Sequence, residues 1–161
     1  MRKLILIVAI LINCRVVISQ NQTTASSFSA YATQGLIFGT FFRGNTGGTV
    51  IINPDGTRSV TGDIVQSTLG EPFSPAIFDI NARRGSVITI LNGPNIKLTG
   101  NNGGTASLRI GSSYPSSPFI VTARNNAHTT IMIGATLTVS GPLITPSGSY
   151  SGNFYVTFIQ Q

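Results

Sequence analysis

Between Thr130 and Val139 the chain alternates at every residue. Ile131, Ile133, Ala135, Leu137 and Val139 share one side, and Thr130, Met132, Gly134, Thr136 and Thr138 share the other. Side chains of a β-strand point to opposite faces in turn, whereas a helical face repeats every ~3.6 residues. The segment is therefore read as a strand with one buried face. The same period returns in Ala106, Leu108 and Ile110 with Arg109 opposite, and in Ala76, Phe78 and Ile80 with Asp79 opposite. It returns again near the end, where Phe154, Val156 and Phe158 alternate with Asn153, Tyr155 and Thr157. Val87 to Leu91 is apolar on both faces and reads as a central strand. Turn chemistry separates these runs. Asn53-Pro54-Asp55-Gly56 predicts a hairpin, because Pro presets φ for a turn and Gly tolerates positive φ. Gly70-Glu71-Pro72, Asn92-Gly93-Pro94-Asn95, Gly100 to Gly104, Ser113 to Pro118 and Gly141-Pro142 are further breaks. No helical period persists after residue 20. The expected fold is all-β: an immunoglobulin-like antiparallel β-sandwich of the pilin-like kind, with no significant helix after the N-terminal segment.

That N-terminal segment reads as a signal peptide over Met1–Ser19. Arg2 and Lys3 form a basic start, Leu4 to Ile12 is apolar, and Val17 and Ser19 precede a cut before Gln20. The apolar run is shorter than the ~20 residues a bilayer-spanning helix needs. An N-terminal anchor, a buried strand, or lipidation at Cys14 are the lesser readings. Removal of Met1–Ser19 leaves residues 20–161 as one β-sandwich domain. It also removes the chain's single cysteine and three basic residues, lowering the formal net charge from +6 to +3.

Composition narrows the chemistry. Only 9% of residues are charged, against about 25% in ordinary soluble domains. One His and four acidic residues leave little material for acid–base or metal catalysis. No nucleophile elbow, phosphate loop, dinucleotide fingerprint, zinc-protease or EF-hand pattern is present. Gly148-Ser149-Tyr150-Ser151-Gly152 has Tyr150 where an elbow needs Ser. His128 stands alone and is read as the residue opening a strand. Asp55 and Asp63 flank the hairpin, but only their charge speaks for a pair of glycosidase carboxylates, and turn chemistry is the better account of Asp55. Tyr31, Tyr114, Tyr150 and Tyr155 are able to line a carbohydrate face, but strands use Tyr routinely. The remaining basic residues are scattered, which argues against nucleic-acid binding. The expectation is no enzyme, no cofactor, no metal and no evident small-molecule substrate.

Several segments stand together in a suggestive order. They are Gly35-Leu36-Ile37-Phe38-Gly39-Thr40, Gly48-Thr49-Val50-Ile51-Ile52 with Pro54-Asp55-Gly56-Thr57-Arg58, and Ser74-Pro75-Ala76-Ile77-Phe78 with Gly85-Ser86-Val87-Ile88-Thr89-Ile90. Gly134-Ala135-Thr136-Leu137-Thr138-Val139 follows, and then Gly148-Ser149-Tyr150-Ser151-Gly152 with a β-type ending. Over roughly residues 28–161 this resembles a domain-of-unknown-function family of short exported proteins in Gram-negative bacteria. That family in turn is similar to alternative chaperone–usher fimbrial subunits and the spore coat protein U group. The resemblance implies passage across the inner membrane and through the periplasm, then residence at the cell surface or in a fimbrium. It also implies a periplasmic chaperone, an outer-membrane usher and self-association as partners. The expected function is an exported structural subunit of a fimbria or surface filament, assembled by β-strand addition. The alternative is a monomeric secreted or surface binding module, such as a glycan adhesin.

The terminal strand, expected over Asn153–Ile159, is the proposed assembly strand through Phe154, Val156 and Phe158. The proposed donor is the segment before Gly35, where Phe28, Ala30 and Ala32 alternate. Two departures from type 1 pilins stand beside this: the mature chain has no cysteine pair, and Gln20 to Ser27 is polar. The competing expectation is that Gln20–Thr33 folds back as the first strand of its own closed sandwich.

Overall fold

The alternating runs become strands in the computed structural model, which describes residues 28–124 and 127–161. In chain order they are β1 (Ser29–Gln34), β2 (Phe41–Ile52), β3 (Arg58–Gln66), β4 (Ala76–Asn81), β5 (Val87–Asn92) and β6 (Ile96–Gly100). They continue with β7 (Thr105–Tyr114), β8 (Phe119–Ile120), β9 (Thr129–Val139), β10 (Tyr150–Ser151) and β11 (Val156–Gln160). The described residues contain no helix, and every strand pair is antiparallel. The fold is all-β. The leader expected over Met1–Ser19 and the polar Gln20 to Ser27 lie outside the described residues.

β9 organises the larger sheet, which runs β1-β4-β9-β7-β6-β10. One edge of β9 pairs with β7. The other edge is divided: β4 takes Thr129 to Ile133, and β2 takes Ala135 to Val139. Gly134 stands where the two meet. A Cβ there would run into the carbonyl oxygen of Ile52 and the ring of Pro54, so the junction closes only around glycine. The smaller sheet is β11-β5-β8.

The β2–β3 hairpin turns through Asn53-Pro54-Asp55-Gly56, as its sequence requires. Gly56 N–H donates to the Asn53 carbonyl at 3.0 Å, and Asn53 N–H donates to the Thr57 carbonyl at 2.9 Å. Further along, the ribbon bends sharply. Gly47 and Gly62 take φ of 78° and 69°, values open to glycine and strained for other residues. The pairing register shifts between Arg43 and Gly48. Past the bend the ribbon doubles over, so that Arg58 at one end of β3 bonds to Gln66 and Ser67 at the other. This brings Ile64 into the core.

The core lies between the sheets. Val50, Ile80, Ile131 and Ile133 from the larger sheet meet Ile88 from the smaller one and Val121 beside it, and all six are fully buried. Burying a side chain of this size contributes about 1.5–3 kcal/mol. The whole alternating set Ile131, Ile133, Ala135, Leu137 and Val139 is buried, as are Ala106, Leu108 and Ile110. Ala76 and Ile80 are buried, while Phe78 is half-buried and meets Phe158 edge to face at 5.3 Å between centroids. β5 is central to its sheet as expected, but only Ile88 is fully buried, and Leu91 is half exposed.

Candidate functional site

The terminal strand begins later than its alternation suggests. β11 starts at Val156, and Phe154 precedes it outside the ladder. Phe154, Val156 and Phe158 pack against the core yet remain half-buried, while Tyr155, Thr157 and Ile159 face solvent. The inward set is therefore placed as expected, and its burial is shallower. A strand at the margin of a three-stranded sheet has too little sheet around it to enclose large rings.

β11 pairs with β5 and, among the described residues, with no other strand. Its ladder fixes which backbone groups face outward. Gln161 and Val87 exchange N–H to C=O bonds of 2.9 and 3.2 Å, and Gly93 N–H donates to the Tyr155 carbonyl at 2.9 Å. In antiparallel pairs the bonded residues alternate. Tyr155, Thr157 and Ile159 thus turn their backbone groups toward β5. Val156 and Phe158 turn theirs the other way, along the edge of the sheet. The residues whose side chains point into the core are the same ones whose N–H and C=O groups line that edge.

The proposed donor segment is placed elsewhere. Ala30 and Ala32 belong to β1, which pairs with β4: Ala30 lies opposite Ile80, and Ala32 lies opposite Phe78. Ala30 and Ala32 are exposed, and only Phe28 packs against the core. Their alternation does not give this strand a buried apolar face, because β1 lies at the margin of the larger sheet. The two sets of residues approach each other through Phe78, which is opposite Ala32 in register and touches Phe158.

The other singled-out residues have local roles. Asp55 Oδ1 accepts from Thr57 Oγ1 at 2.6 Å and from Thr57 N–H at 2.9 Å. These bonds hold its carboxyl below the usual carboxylate range. Asp63 accepts from Thr46 N–H and Oγ1 at 3.3 and 3.4 Å. Asp55 thus closes its own turn, and Asp63 ties β3 to β2 where the ribbon bends. His128 is exposed just before β9. Among the described residues no three His, Cys, Asp or Glu side chains cluster to hold a metal. The Tyr150 hydroxyl donates to the Pro146 carbonyl at 2.6 Å, whereas Tyr31, Tyr114 and Tyr155 are exposed.

A family profile matches residues 15–159, nearly the full length. The chain belongs to the domain of unknown function DUF4402. No curated protein and no solved structure matches it. Within this DUF4402 chain the match spans the doubled β2–β3 ribbon, the divided edge of β9 and most of β11.

One feature of the DUF4402 fold escaped the periodicity. β7 contains a bulge between Ile110 and Ser113, and it reverses which residues of that strand face solvent. Gly111 followed by Ser112 and Ser113 is the only local signal of it, and small residues are common in strands without bulges.

Proposed function

We propose that this DUF4402 domain is an exported structural subunit of a fimbria or surface filament, assembled by β-strand addition at β11. The observation that carries the reading is the one-sided pairing of the terminal strand among the described residues. A strand with unpaired N–H and C=O groups along one side recruits another strand. An incoming strand gains main-chain hydrogen bonds from the edge, and its alternate side chains set the register. The half-buried Val156 and Phe158 supply an apolar floor beside that edge. Export through the periplasm, an accompanying chaperone and an outer-membrane usher follow as parts of the same proposal. The low charge suits a surface that packs against copies of itself.

Electrophoresis of surface-extracted protein without boiling tests the reading. A ladder of oligomers that collapses to monomer on heating is expected. A monomer alone in gentle extracts contradicts it. Deleting Gln20–Thr33 addresses the donor. With a chaperone present, the shortened subunit should fold and fail to polymerise. Loss of soluble protein even with the chaperone would assign the segment to its own chain's sheet, consistent with the β1–β4 pairing.

A further inference from the structure

Ser113 lines two clefts, and strand addition at β11 uses neither. The larger, about 430 Å³, is lined by Asn53, Pro54, Asp55, Ser113, Tyr114 and Met132. The smaller, about 220 Å³, is walled in part by Asn92, Ser112, Ser116 and Ser117.

The bulge in β7 creates the first of them. Up to Ile110 the even-numbered residues of β7 are buried, while Ser107 and Arg109 are exposed. Ile110 stands opposite Ala135, but Ser113 stands opposite Ile133, so one additional residue enters β7 between them. A one-residue shift moves every following side chain to the other face. Tyr114 is thereby set on the solvent side opposite Met132, with 63% of its surface exposed. Without the bulge its ring would point toward the core. The ring, Met132 and Pro54 form an apolar wall, and the hairpin turn supplies polar atoms at its rim.

Those atoms are partly unused. Asp55 spends Oδ1 on Thr57, which leaves Oδ2. Asn53 donates through Nδ2 to Thr57 Oγ1, which leaves its side-chain carbonyl. The hydroxyls of Tyr114, Ser112 and Ser116 make no hydrogen bond among the described residues. An exposed aromatic ring beside a carboxylate, an amide and several hydroxyls combines an apolar platform with convergent donors and acceptors. A pyranose presents the complement: a C–H face ringed by hydroxyls.

We infer that the two clefts bind a neutral oligosaccharide, one sugar ring lying on Tyr114 and the chain continuing past Ser113 toward Ser116 and Asn92. Neutrality follows from charge. Asp55 is the one charged residue lining either cleft, and it repels an acidic sugar. The site serves a filament subunit and a free binding module equally well, so it stands apart from the assembly proposal.

The test presents the full chain to an array of neutral and sialylated oligosaccharides, followed by calorimetric titration of the best neutral probe. Binding to a neutral series is expected. Tyr114→Ala should weaken it about tenfold or more, and Tyr114→Phe should keep it within about threefold. Tyr31→Ala, which removes an exposed ring on β1, should leave it unchanged. Ser116→Arg, at the exposed rim of the smaller cleft, should weaken longer probes more than short ones. Circular dichroism checks that each variant is folded. If Tyr114→Ala does not fold, Ser116→Arg decides. Absence of neutral binding, preference for sialylated probes, or insensitivity to the folded cleft variants overturns the inference. Filament ladders are not read by this assay, so either proposal can fail alone.

Discussion

Arg58 holds the doubled ribbon together. Its guanidinium donates to the carbonyls of Phe38, Thr40 and Ser67 at 3.0, 3.1 and 2.7 Å, and to Gln66 Oε1 at 3.4 Å. It also lies over the Phe73 ring at 4.4 Å. Burial lowers its pKa from the ordinary value, yet a guanidinium stays charged at any physiological pH. Lysine has neither the fork nor the planar face for this arrangement. Arg58→Lys should therefore lose about 1.5–3 kcal/mol in urea denaturation, the scale of hydrogen bonds to a charged donor. A change below about 0.5 kcal/mol, ordinary for a surface substitution, would show that the clamp adds nothing. Asp55 supplies a second test. Its carboxyl is held below its ordinary pKa, first by the Thr57 hydroxyl and then by the Thr57 N–H. A depressed carboxylate pKa contributes stability above the unfolded pKa and loses it as pH falls through the folded one. Melting temperature should fall on acidification in the native chain, and Asp55→Asn should make the acid side of that curve shallower. Identical curves would remove Asp55 from the acid response.

At the scale of elements, β9 and β11 respond differently to truncation. Ile131 is fully buried at the centre of the larger sheet, and Ile131→Ala should cost about 2–5 kcal/mol. Phe158 is half-buried, so Phe158→Ala should cost less than the ~3–5 kcal/mol typical of enclosed rings. Thermal denaturation of both variants checks the order, and a larger loss at Phe158 would mean that β11 is enclosed more deeply. The contrast shows how far local pattern reaches. The alternation of β9 was legible because period two is a property of neighbouring residues. The Asn53-Pro54-Asp55-Gly56 turn was legible for the same reason. The shallow burial of Phe154, Val156 and Phe158 depends on where β11 lies in its sheet, which no local pattern contains. The exposed face of Tyr114 depends on a bulge, and the pairing of β1 with β4 joins residues far apart in sequence. β11 was thus legible as a strand, while the clefts along β7 were not.

For the whole molecule, the proposal of export puts an all-β domain outside the cytoplasm, with two consequences. Removal of Met1–Ser19 takes away Cys14, the single cysteine. The denaturation midpoint of the exported chain should then be indifferent to dithiothreitol. Intact mass of the surface protein should correspond to a start at Gln20, and a full-length mass there would contradict export by cleavage. The central claim concerns the edge of β11, and residue-resolved amide hydrogen exchange tests it most directly. In the isolated subunit Val156 and Phe158 should exchange quickly, while Thr157 and Ile159, bonded to β5, should be protected. In assembled material Val156 and Phe158 should become at least about tenfold slower, the change expected when free amides enter a ladder. Val156 and Phe158 already protected in the monomer, or unchanged in the assembly, would contradict strand addition at β11.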